Sequence, residues 1–169
     1  MTPTKDSSDS TMKAIGHAVT RGQEGDTDTA RRTLLALWQQ IGAVGDPFHR
    51  CTLAHYLADL YDNPAEALIW DVRALDAADA LTDERTQLHD ASLQVAGFYP
   101  SLHLNIADNL RRLAAFDTAA AHIRTADQRA SALPDNAYGN LIRTAIREVQ
   151  QAILNQDTAR RASAPGAAQ

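Results

Sequence analysis

A single cysteine, Cys51, leaves the chain no internal disulfide framework, and a lone thiol fits a reducing compartment. Free cysteine packs as a small hydrophobe, so Cys51 reads as a half-buried helix residue rather than a nucleophile. Aromatic residues are scarce, at 5%, which leaves the packing to Leu, Ile and Ala. Strands favour β-branched and aromatic side chains, so that shortage predicts helices. Basic charge is short as well. A net charge of −5 speaks against general affinity for nucleic acid, which needs a basic face. No apolar run approaches the ~20 residues of a membrane-spanning helix. The opening MTPTKDSSDST has no apolar signal core, and the expectation is a cytoplasmic protein with no membrane association. Glycine-rich phosphate loops, GxSxG elbows, dinucleotide fingerprints, HExxH and CxxC are all missing. The sequence therefore predicts no catalytic residue, no metal site and no cofactor.

What is present is a series of apolar stripes at helical spacing. The length, 169 residues, suits one domain able to bury its own core. Residues 1–10 are polar and read as a disordered lead. A helix then runs from Thr11 through Met12, Ile15, Ala18 and Val19 to the break at Gly22 and Gly25. Asp26 or Thr27 can cap the next helix, whose Leu34, Leu37, Trp38 and Ile41 form one stripe. Asp46-Pro47 and Asn63-Pro64 each read as a capping side chain followed by proline at the first helical position, where its missing N–H costs nothing. Glu66 stands where its carboxylate can reach back as in a capping box. The helices they open carry Leu53, Tyr56, Leu57 and Leu60, then Ala67, Leu68, Trp70 and Leu75.

Residues 83–97 read as a short inserted helix through Leu88, Ala91, Ser92 and Val95, or else as part of a longer following helix kinked at Gly97 and Pro100. A further pair meets at Ala114-Ala115-Phe116. Asn136 caps a last helix with Tyr138, Leu141, Ile142, Ala145, Ile146, Val149 and Ile153 on one face. The working domain is thus 11–155, and residues 156–169 read as a flexible tail.

In Asn105–Ala126, NIADNLRRLAAFDTAAAHIRTA, small residues sit where two helices touch across a tight turn. This resembles a tetratricopeptide repeat. The turns at Ala30 and Ala67 repeat the pattern, spaced close to that family's period of about 34 residues, while Ala119 follows one short helix late. The resemblance implies an all-α, TPR-like solenoid of about three antiparallel helix pairs with an extra inserted helix and a C-terminal cap. It also implies a concave groove that binds a protein or peptide partner, without enzymatic activity. In that register the groove holds Asn105, Asp108 and Arg112, with His55, Tyr56, Asp59 and Tyr99 as side contacts.

Asn105, Asp108 and Arg112 share a helix face in any fold, and the plain alternative is a solvated polar surface. Three repeats are near the minimum for a stable array, so the end faces could instead pair two copies into a homodimer or a larger structural oligomer. A second rival is a small-molecule or metal-dependent sensor or enzyme built on His55, His89 and His103, which lack the tight spacing of zinc ligands. The two tryptophans read as core. Arg111-Arg112 could receive an acidic group, and Arg160-Arg161 reads as solvated.

Overall fold

The computed structural model describes residues 5–90 and 92–164. The chain is all-α: 74% helix in eight α-helices, with no strand among the described residues. They are α1 (Lys5–Gln23), α2 (Thr27–Ile41), α3 (Pro47–Ala58), α4 (Pro64–Asp79), α5 (Asp83–Gln87), α6 (Tyr99–Arg112), α7 (Phe116–Arg129) and α8 (Ala137–Leu154).

Side-chain caps set most of the starts. Asp46 accepts from the Phe48 amide at 2.8 Å and Asn63 from Ala65 at 2.9 Å, each with proline opening the helix. Asn136 accepts from Gly139 at 3.0 Å. Gly139 is itself required there, because a Cβ would stand 1.9 Å from the Pro134 carbonyl. Three helices stop in the same way. After α1, α6 and α8 a residue at positive φ (Gly25, Ala114 and Gln156) turns the chain left-handed. The next amide then bonds back five residues, Asp26 to Arg21, Ala115 to Leu110 and Asp157 to Ala152. This Schellman closure satisfies carbonyls that the helix end would leave bare.

Consecutive helices pack as pairs, α1 with α2, α3 with α4 and α6 with α7, and α8 lies across α6 and α7. Alanine makes the close approach possible. Ala30, Ala54, Ala74, Ala107, Ala119 and Ala126 are all fully buried. Two cores result. The first joins Ile15, Leu34, Leu53, Leu57, Trp70 and Leu102; the second joins Leu104, Ile123, Ile146 and Val149. Leu102 and Leu104 point into different cores from one helix, which places α6 in the middle of the molecule. Each such Leu or Ile contributes about 1.5–3 kcal/mol on burial. Trp38 and Trp70 meet edge to face, centroids 5.2 Å apart, inside the first core; such a pair adds about 0.5–1.5 kcal/mol.

The structure departs from the sequence reading in three places. Helix α1 begins at Lys5, so residues 5–10 are helical rather than a disordered lead; residues 1–4 lie outside the described residues. The inserted helix is only the five residues of α5, followed by a loop and one 3₁₀ turn at Val95–Gly97, and Ala91 lies outside the described residues. Local side-chain bonds win over helix there. The Thr86 hydroxyl donates to the Asp83 carbonyl at 3.0 Å and also contacts the Leu93 carbonyl at 3.3 Å. Asp90 accepts from Ser92, and Asp83 from the Val95 amide. Leu88, expected on the packed face, is 74% exposed. Lastly, Arg160-Arg161 is not simply solvated: residues 157–164 lie back against the end of α6 through ion pairs, and residues 165–169 lie outside the described residues.

Candidate functional site

Helices α3, α6 and the first turns of α8, together with residues 92–98, enclose a groove of about 920 Å³. Its wall is mainly apolar, with Phe98, Leu102, Pro134 and Ile142, and it carries His55, Tyr56, Asp59 and Asn105. Tyr138 and Leu141, 47% and 61% exposed, stand on the α8 side. Sequence spacing put both on the buried face of α8, but that face turns into the core from Ile142 and Ala145 onward. The beginning of the stripe lines the groove instead.

Asp59 and Asn105 also line a second, small cavity of about 40 Å³ that continues toward the end of α6, among Asp71, Asp108, Asn109 and Arg112. Asp71 is its deepest charge, 1% exposed. Asn109 donates to it at 2.7 Å, and Asn105 at 3.5 Å. Burial pushes the Asp71 carboxyl well above the usual range, and the nearby Asp59 and Asp108 push the same way, while the two Asn amides oppose the rise. Burial also raises Asp59, against the pull of His55 and Arg160.

Of the seven groove residues the sequence singled out, the structure brings six into one region. Asn105 lies 3.5 Å from His55 Nδ1, and His55 packs edge-on against Tyr56 with centroids 5.5 Å apart. Asp108 is engaged by Arg111 at 2.6 Å and Arg161 at 3.2 Å. Arg112 donates to the Asp62 carbonyl at 2.8 Å. Tyr99 is the exception. Its hydroxyl donates to Asp79 at 2.8 Å and its ring stacks on His103 beneath Arg129. Burial first, and then Asp79, raise its phenol to about 12. These contacts direct Tyr99 toward Asp79 on α4 and Arg129 on α7 rather than the groove.

The rival set His55, His89 and His103 does not converge. His89 packs on Phe48, and His103 meets His122, Nδ1 to Nδ1, at 3.0 Å. Among the described residues no three His, Cys, Asp or Glu side chains form a cluster able to hold a metal. No helix there is long and apolar enough to cross a membrane.

Sequence reasoning missed Asp71, Asn109 and the tail arginines. For Asp71 a signal existed: with Ala67, Trp70 and Ala74 it falls at i, i+3, i+4 and i+7, inside a buried stripe. Comparison with family models, curated proteins and solved structures gave no match.

Proposed function

We propose that this chain is a non-enzymatic adaptor that binds an extended segment of a partner protein in the groove between α3, α6 and α8. The observation that carries the reading is that groove: about 920 Å³ of largely apolar wall, flanked by the exposed Tyr138 and Leu141. A monomer rarely leaves large apolar side chains beside a concavity without using them. His55, Tyr56, Asp59 and Asn105 add polar contacts along one wall, which suits a peptide backbone laid across them. The pairing of α1 with α2, α3 with α4 and α6 with α7, capped by α8, supports a solenoid of the tetratricopeptide type. On this reading the partner is a protein, not nucleic acid or membrane, and the site of action is the cytoplasm.

Display of a random peptide library on the wild-type chain tests it. Enriched peptides should bind the full chain and lose at least tenfold in affinity to Tyr138→Asp, Leu141→Asp. Both positions are exposed, so the double variant should keep its helicity. Peptides that bind both chains equally would remove the groove from the function. A wild-type dimer that dissociates in the double variant would instead make the same face a self-association surface.

A further inference from the structure

The acidic end of the groove already holds a piece of this chain. Helix α8 closes at Gln156, φ 50°, and the chain turns back so that residues 157–164 cross the end of α6. Arg161 is inserted: its Nε lies 3.2 Å from Asp108 Oδ2, its Nη1 2.9 Å from Glu148, and its side chain is 11% exposed. Arg160 pairs with Asp62. The buried Arg111 donates to the Asp157 carbonyl, fixing where the segment enters, and Ser163 donates to Glu148 at 2.8 Å. Arg160, Arg161 and Ala164 thereby form the outer wall of the cavity over Asp59, Asp71 and Asn105.

Two features mark the segment as an occupant rather than a part of the core. It contributes no residue to either apolar cluster, and ion pairs and hydrogen bonds hold it in place. The Arg160–Asp62 and Arg161–Glu148 pairs reach exposed or half-exposed carboxylates and open locally at low cost, and the nearly buried Asp108 keeps Arg111 at 2.6 Å when Arg161 leaves. What it covers is an acidic surface, with Asp59 and Asp62 in the turn after α3 and Asp108 on α6, and Asp71 of α4 buried beneath it. Glu148 on α8 adds to it, while the helices bring Arg111 and Arg112, and Arg31 at the neighbouring Leu60 carbonyl, as cations. With the tail lifted away, acids outnumber bases.

We infer that residues 157–164 are an internal stand-in for the ligand, and that the acidic end of the groove receives a partner segment carrying two adjacent arginines, which must displace the chain's own tail. This rests on the groove reading above and adds to it the partner's charge. The forked guanidinium seated between Asp108 and Glu148 favours arginine over lysine, whose point charge cannot bridge two separated carboxylates as a planar fork does.

The test uses full-length chains and a fluorescent peptide of sequence DTARRASA, followed by anisotropy. Wild type should bind it weakly, because its own tail competes at high effective concentration. Arg160→Ala, Arg161→Ala should bind at least tenfold tighter, and a peptide with both arginines replaced by alanine should not bind. Adding Asp62→Asn and Glu148→Gln, both at exposed or half-exposed positions, should reverse the gain. Arg160→Ala alone, whose partner Asp62 is largely exposed, gives a milder release with an intermediate gain if the double variant is poorly folded. Equal binding by wild type and the released variants, or no binding to either, would overturn the proposal. So would a wild-type dimer by sedimentation that the double variant lacks, since the tail would then serve a second copy. Library peptides still lost on Tyr138→Asp, Leu141→Asp would leave the groove standing while the arginine assignment fell.

Discussion

Asn109 on α6 donates to the Asp71 carboxylate on α4 at 2.7 Å, and both side chains are buried. This bond ties the second helix pair to the third at the small cavity beside the groove. Burial holds the Asp71 carboxyl above its ordinary range, so the fold prefers the protonated form. Asp71 therefore costs stability as pH rises through its raised folded value, and the cost is relieved on acidification toward the unfolded value. Asn109→Ala removes the shortest donor to the charged form. A loss of about 1.5–3 kcal/mol is expected where Asp71 is ionised, read by urea unfolding. The loss should shrink on acidification as Asp71 takes up its proton. An equal loss across the whole pH range would mean that the bond does not serve a carboxylate.

His103 and His122 give the opposite sign. One ring nitrogen must donate to the other across 3.0 Å, an arrangement that protonating both rings destroys. Burial lowers both; His122 and Arg129 lower His103 further, against the opposing charge of Asp79. With folded values below the unfolded one, the unfolded chain takes protons first, and stability falls as pH drops below about 6.5. His122→Gln keeps a hydrogen-bonding side chain but cannot titrate. Its melting temperature should fall less than that of wild type between pH ~7.5 and ~5.5. Because Asp71 is common to both chains, its contribution cancels in the comparison. Parallel curves would exclude the pair as the source of the acid loss.

Much of this architecture was legible because helix boundaries are local. Asp46-Pro47, Asn63-Pro64 and Asn136 carry their capping chemistry within a few residues, and each starts a helix as expected. The stripe through Leu34, Leu37 and Trp38 likewise needs no distant information. Residues 83–97 misled because their apolar spacing was helical while Asp83, Thr86 and Asp90 had better uses for their oxygens in turns. Asp71 sat in a readable stripe, but the amides that make its burial tolerable come from residues 34 and 38 positions away. The tail was further out of reach. Arg161 finds Asp108 across 53 residues and Arg160 finds Asp62 across 98, and nothing in the local composition DTARRASA announces an acidic seat.

The turn between α6 and α7 offers a clean backbone test. Ala114 adopts φ 61°, where its Cβ crowds the backbone, in the place that Gly25 fills after α1. Ala114→Gly relieves that crowding, against the extra freedom glycine brings to the unfolded chain. A net gain of roughly 0.5–1 kcal/mol is expected. Ala114→Val should be destabilising, since a β-branched side chain fits this region poorly. Denaturant midpoints with unchanged slopes would report both. If glycine gave no gain, the turn would not be carrying this strain.

Cys51 reports on the groove wall from the inside. Its thiol lies on α3 next to the groove, yet is 5% exposed, and burial pushes it up to about 12. The thiolate is the reactive form. At pH ~8 it amounts to roughly one part in ten thousand in the fold, against about a quarter in an unfolded chain with a value near 8.5. A disulfide reagent should therefore label native Cys51 on the order of a thousandfold more slowly than the denatured chain. The residual native rate then measures how often α3 and the residues around Phe98 part. A ligand seated in the groove bridges those elements and should slow that rate further, while one bound elsewhere should leave it unchanged. Fast native labelling would show that the wall between Cys51 and the groove opens readily, and the high thiol value would then not describe the state that reacts.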